Sequence, residues 1–208
     1  MCGAPPLGVC DMDTLLLFSG GLDSTVLLGY ILSLGKNCIA LSFDYGQRHK
    51  QELLSAKKIA AHYSVEHLSI HIDPLLFSAA HSSLTNCTLD VTPETAYVPA
   101  RNLLFLAHAI SFAESRNIPE IYIGANAQDT SHFPDCTRAF FDSLQATASL
   151  GMKAPISILT PFSSFSKKEI IDLGKQLSVP IELSFSCYDP KESKPCGICP
   201  ACVLRGTA

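Results

Sequence analysis

The chain has 208 residues, 47% of them hydrophobic and only 16% charged, enough to bury a sizeable core and unlike a disordered or coiled-coil protein. A net charge of −4 gives no overall basic field for nucleic acid, and no apolar run is long enough to cross a membrane. The first residues lack a basic stretch followed by an apolar one, so cytoplasmic residence is expected, with no membrane partner and no direct nucleic-acid contact.

Residues 1–13 read as a loose leader. Residues 14–18 form an apolar run that suits a buried strand, and 25–34 suit a helix closed by Gly35. A second strand follows at 38–43, a helix at 51–63 and a third strand at 65–70. The segment 74–98 has little periodicity, and loops of such length are commonly lids or disordered. A helix is expected over 102–115, a fourth strand over 121–124, a helix over 137–150 and a fifth strand over 156–159. Ser166 opens a further helix, with Glu169 completing a capping box. Strands alternating with helices predict a doubly wound, five-stranded parallel sheet over 14–184, with a cysteine-rich tail at 185–208 packed on the same domain. In such sheets the ligand sits beyond the carboxyl ends of the strands.

The loop after the first strand reads Ser-Gly-Gly-Leu-Asp-Ser at 19–24. Gly20 and Gly21 let the backbone approach an anion closely. The helix that follows offers unpartnered N–H groups and the positive end of its dipole. Ser19 and Ser24 add hydroxyls. Asp23 suits a phosphate only through a cation, of which Mg²⁺ is the usual one. The spacing matches neither the P-loop of Walker type nor the dinucleotide fingerprint. Ser-Gly-Gly alone is also an ordinary turn; the flanking strand, the helix and the second serine favour nucleotide binding.

Residues 44–49, 124–136 and 161–166 also follow expected strands, and a further motif starts the helix expected at 102. Phe43 to His49 is a polar turn in which Arg48 and His49 can meet substrate or phosphate. Arg101 offers bidentate donors for a carboxylate or phosphate, or a surface ion pair. Residues 126–136 crowd polar groups around an aromatic. There Asp129 and Asp135 can accept from a guanine-like base and Phe133 can stack on it, while Asp135 also suits a helix cap. Lys167 stands in the first turn of a helix, where a cation is disfavoured unless negative charge lies near.

Nine cysteines is an odd number, and four crowd the last 22 residues, which argues against a disulfide framework. Cys196, Cys199 and Cys202 are spaced as Cys-x-x-Cys-x-x-Cys, with Cys187 nine positions upstream. Four thiolates suit structural Zn²⁺; an iron–sulfur cluster and redox-active thiols are the competing readings. Cys2, Cys10, Cys38, Cys87 and Cys136 read as small apolar fillers or leader residues, Cys136 the least clearly.

The 19–24 loop resembles the PP-loop of the ATP pyrophosphatases. Together with Phe-Asp-Tyr-Gly-Gln-Arg-His at 43–49, Val-Pro-Ala-Arg-Asn at 98–102, Gly-Ala-Asn-Ala-Gln-Asp at 124–129, Phe-Pro-Asp-Cys at 133–136 and the four tail cysteines, it resembles the QueC family of 7-cyano-7-deazaguanine synthases. The resemblance spans about Thr14 to Arg205. It implies an adenine nucleotide α hydrolase-like fold and a ligase that forms C–N bonds in queuosine precursor synthesis. ATP would adenylate 7-carboxy-7-deazaguanine, ammonia would give the amide, and a second ATP would lead to the nitrile. It implies ATP at Phe18, Ser19, Gly20, Gly21, Leu22, Asp23, Ser24, Thr25, Val26, Leu27 and Leu28, and one structural zinc at Cys187, Cys196, Cys199 and Cys202. Asp23 (on Mg²⁺), Lys167 and Arg101 would be catalytic. Arg48, His49, Arg101, Asn102, Asp129, Phe133 and Asp135 would bind substrate. A homodimer is also common in the family. Phe133, His132 and Thr137 depart from its usual tyrosine, glycine and arginine. The rival functions are another PP-loop adenylating enzyme, such as a tRNA thiolase or amide synthetase, and a non-catalytic protein that binds zinc and ATP.

Overall fold

The computed structural model describes residues 13–48, 50–86, 88–92 and 94–206. The leader up to residue 12, His49, Cys2, Cys10 and Cys87 lie outside the described residues. Five strands, β1 (Thr14–Leu17), β2 (Cys38–Asp44), β3 (Glu66–His71), β4 (Glu120–Tyr122) and β5 (Ser157–Leu159), form one sheet in the order β3-β2-β1-β4-β5. Every pairing is parallel. The helices are α1 (Leu22–Ser33), α2 (Gln51–Tyr63), α3 (Arg101–Arg116), α4 (Ala127–His132), α5 (Arg138–Gly151), α6 (Lys167–Gln176) and α7 (Pro200–Gly206). No helix among the described residues is long and apolar enough to cross a membrane.

Strand side chains alternate between faces, so each strand feeds two cores. Leu15, Leu17, Leu41 and Phe43 pack with Leu106, Ala109 and Ala113 of α3 and Phe141 of α5. Leu16, Phe18 and Ala40 pack with Val26, Leu27 and Ile31 of α1, Ile59 of α2 and Ile170 of α6. Helices therefore cover both faces of the sheet, the doubly wound arrangement expected from the sequence. An all-parallel sheet buried on both sides explains why its central strands read as continuous apolar runs.

Several boundaries differ from the expected ones. Helix α1 begins at Leu22, ahead of Thr25, with Gly21 as its N-cap and no side-chain cap of its own. The fourth strand stops at Tyr122, and α4 occupies part of what reads as loop. The described residues of the 74–98 connection are neither loose nor structureless. It opens with a 3₁₀ turn at Pro74–Phe77, and Phe77, Leu84, Ala96 and Val98 join the core on the α3 face.

The chain leaves β1 for β2 on one side, and β4 lies on the other. That reversal opens a crevice where the loops after β1 and β4 meet.

Candidate functional site

The β1–α1 loop turns at Gly20, whose φ is +81°. Helix α2 presses on this point: a Cβ added to Gly20 would lie 2.2 Å from the carbonyl oxygen of Glu52 and 2.5 Å from the amide of Ala56. Side chains and tail then fix the loop. Gly21 N donates to Ser19 Oγ at 3.1 Å, and the Ser19 and Ser24 hydroxyls are 3.1 Å apart. Leu22 N donates to Ser186 Oγ at 3.0 Å, and Phe185 N to the Gly20 carbonyl at 2.9 Å. A cysteine-tail residue thus occupies one of the orphan donors at the start of α1.

Asp23, in the first turn of α1, is shared by two other elements. Lys167 of α6 donates to both its carboxylate oxygens at 2.7 and 2.6 Å, and Asn126 Nδ2 donates to Oδ2 at 3.1 Å. Both charged side chains are more than four-fifths buried. Lys167 reaches inward from a helix start fixed by the Ser166–Glu169 capping box foreseen in the sequence.

These groups line a cavity of about 280 Å³ at the crevice. That is close to the lower end of ordinary small-ligand pockets, roughly 300–1,000 Å³. Arg101 and Asn102 enter it from the start of α3, and Asp129 and Phe133 from the segment around α4. Phe133 stacks on Tyr97 at 6.1 Å and 14° between rings. Arg101 Nη1 donates to Tyr45 Oη at 3.2 Å. The Asp129 carboxyl is pushed up by burial and by the charge of Asp23, and its Oδ2 accepts from Asn126 N at 3.1 Å. Burial pushes the Cys136 thiol to about 12.

The tail holds the second site. The sulfurs of Cys187, Cys196, Cys199 and Cys202 lie within 4.8 Å of one another, with Cys196–Cys202 and Cys187–Cys199 separations of 4.0 Å. Four sulfurs around one ion at a Zn–S distance of about 2.3 Å would be about 3.8 Å apart, so the set fits a tetrahedral metal. Backbone amides support the sulfurs: Cys196 N donates to Cys187 Sγ at 3.2 Å and Cys199 N to Cys196 Sγ at 3.3 Å. Arg205 ties α7 back to the domain, donating from Nη1 to the Ser184 carbonyl at 3.0 Å and from Nη2 to the Ile181 carbonyl at 2.8 Å.

Residues 13–208 match the family model described as queuosine biosynthesis protein QueC. The chain belongs to the QueC family. A 7-cyano-7-deazaguanine synthase of Leptospira interrogans is 47% identical over 91% of this chain and 83% of its own length. The synthase of that name from Picrophilus torridus is 44% identical over 91% and 83%. Among solved structures, NMN synthetase from Francisella tularensis superposes with a TM-score of 0.56 at 22% identity, covering 91% of this chain and 70% of that one. A predicted subunit of tRNA methyltransferase from Methanocaldococcus jannaschii gives a TM-score of 0.55 at 21% identity, covering 79% and 74%. At these identities the two structures speak to the fold alone.

Against this QueC background, the sequence-derived site residues fall into two groups. Phe18, Ser19, Gly21, Leu22, Asp23, Ser24, Arg101, Asn102, Asp129, Phe133 and Lys167 line the one cavity. The other described ones stand apart from its lining. Arg48 pairs with Asp189 at 2.7 Å and donates to the Leu89 carbonyl, joining the β2 loop to the tail. Asp135 accepts from Asn102 N at 2.9 Å and so caps α3 from outside that helix. Val26, Leu27 and Leu28 are wholly buried in the core, and Thr25 Oγ1 donates to the Gly21 carbonyl at 2.7 Å. Gly20 faces α2, and His49 is outside the described residues.

Sequence reading missed Glu52, Asn126, Ser186 and Tyr188. Asn126 is flagged in retrospect by its capping box with Asp129, which accounts for α4. Glu52 sits two residues into an ordinary amphipathic helix, and no local pattern marks it.

Proposed function

We propose that this chain is an ATP-dependent ligase that makes 7-cyano-7-deazaguanine from 7-carboxy-7-deazaguanine and ammonia. The observation that carries the reading is the sharing of one cavity by the 19–24 loop and the Asp129–Phe133 segment. A triphosphate cradle that opens into an acidic, aromatic slot is what adenylation of a carboxylate on a planar ring requires. Family membership supplies the identity of the ring.

The roles follow from chemistry. A carboxylate oxygen is a poor leaving group, so ATP would first transfer its adenylyl group to it. Ser19 and Ser24 would hold the departing pyrophosphate, with the remaining donors of the α1 start. Asp23 offers oxygen donors that fit Mg²⁺, whose charge would offset that of the phosphates. Lys167, now on Asp23, is placed to turn to phosphate charge as it develops. Arg101 would orient the acid's carboxylate. Asp129 would accept from the base's N–H groups and Phe133 would stack on its face. Ammonia would displace AMP to give the amide, whose oxygen would be adenylated in turn before AMP leaves the nitrile. Positioning of this kind supplies much of the rate. The tail cysteines would hold zinc in a closed shell, a structural role.

The thiolase alternative needs a nucleophilic cysteine at the cavity. Cys136 lines it, but a thiol held near 12 stays protonated and unreactive. Purified protein should be given ATP, ammonium and the deazaguanine acid, and its products weighed by mass spectrometry. Free nitrile with AMP and pyrophosphate is the expected outcome. AMP formed only on addition of tRNA would overturn the reading.

A further inference from the structure

Turning ammonia and an acid into a nitrile strips every hydrogen from the nitrogen. On the reading just given, the cavity therefore has to accept protons repeatedly. Among its described lining residues the carboxylates are Asp23, Glu52 and Asp129, and no histidine is present. Asp23 is engaged by Lys167 and Asn126, and Asp129 accepts from the Asn126 amide. Glu52 has no side-chain hydrogen bond or ion pair with any described residue. It is nonetheless held in place. Its backbone carbonyl abuts Gly20, and its Oε1 is 3.6 Å from where a Cβ on Gly21 would be, so the carboxylate overhangs the phosphate loop.

We propose that Glu52 is the proton acceptor for the nitrogen chemistry. As nitrogen bonds to the activated carbonyl carbon, the carbon–oxygen bond to AMP breaks and AMP leaves with that electron pair. A proton passes from nitrogen to the Glu52 carboxylate, leaving the N–H electron pair on nitrogen. The amide nitrogen loses its next proton the same way when its oxygen is adenylated. The last goes as the second AMP departs and the triple bond closes. Between steps the carboxyl releases its proton to solvent. Burial pushes the Glu52 carboxyl to about 7, with Arg101 of α3 opposing the shift and Asp23 of α1 adding to it; Tyr188 of the tail also faces it. A base titrating near the working pH is the most effective kind.

The test uses the purified full chain and its Glu52→Gln and Glu52→Asp variants. Acid-dependent exchange of labelled pyrophosphate into ATP reports carboxylate adenylation, which moves no N–H proton. Amide and nitrile are followed by mass spectrometry. In Glu52→Gln, exchange should persist while nitrile formation falls on the order of 10²-fold or more. Glu52→Asp should recover part of the loss. Nitrile formation at the parent rate would overturn the proposal. So would equal loss of both signals, which would make Glu52 a support for the loop. Should Glu52→Gln not fold, Glu52→Asp must itself show the split between exchange and nitrile, and equal loss there overturns the assignment. Failure of the parent reading looks different: the unaltered chain would give neither acid-dependent exchange nor nitrile.

Discussion

Replacing Gly20 by alanine probes how tightly the phosphate loop is built against α2. Two costs arise. A residue with a Cβ at φ +81° loses about 1–2 kcal/mol to left-handed strain. The added carbon would also lie 2.2 Å from the Glu52 carbonyl and 2.5 Å from the Ala56 amide, both backbone atoms that cannot swing aside. Overpacking of that kind costs about 1–3 kcal/mol more. The combined loss of about 2–5 kcal/mol would lower Tm by about 4–20 °C in a chain of this size. Gly35 is the internal control, since its φ is +74° but a Cβ there meets nothing within 4 Å. Gly35→Ala should show the strain alone, about 1–2 kcal/mol. Thermal and urea unfolding of both variants, each with and without ATP, is the assay. A Gly20→Ala protein no less stable than Gly35→Ala would refute the packing argument, because only the contact with α2 separates the two.

Asp23→Asn should cut turnover by at least about 10²-fold while circular dichroism stays that of the parent, since the change keeps the side chain's shape while removing its charge and turning one acceptor of Lys167 into an amide donor; near-normal turnover would sink the cation role. Cys199→Ser opens the sulfur tetrahedron, so metal content measured by mass spectrometry should drop below that of the parent and stability should fall with it; unchanged metal content would remove the zinc assignment. Glu52 also has a signature in stability. Its pKa is raised from an ordinary 4.5 to about 7, so its protonated form confers stability that is fully present below 4.5 and lost as the pH rises to about 7. Glu52→Gln should therefore unfold with the parent near pH 4.5 and be the more stable at pH 8, by on the order of 1–3 kcal/mol. Equal Tm at both pH values would show that the carboxyl is not desolvated.

What the sequence disclosed, and what it hid, divides by range. The central strands announced themselves because burial on both faces leaves no polar alternation in runs such as residues 14–18. The capping box at Ser166 and Glu169 was legible because its partners stand three residues apart. By contrast, the amide that opens α1 at Leu22 donates to Ser186, far along the chain. Asp135 caps a helix 33 residues upstream, and no local signal carries that. The polar residues 127–132 show no apolar period, so α4 was invisible apart from its box. Of the cavity, the loop, Arg101, Asp129 and Lys167 were found because each follows a strand or opens a helix. Arg48 follows a strand as well, yet Asp189 captures it, a pairing that only the folded tail brings about.

The path from the sulfur cluster to the 19–24 loop is short. Cys187 follows directly on Phe185 and Ser186, which grip the Gly20 carbonyl and the Leu22 amide. Stripping the proposed zinc with a chelator would slacken that clamp at its anchored end. ATP affinity should then weaken at temperatures where the sheet is still intact, so that a tail whose Ser186 and Tyr188 line the cavity becomes the keeper of the 19–24 loop's shape.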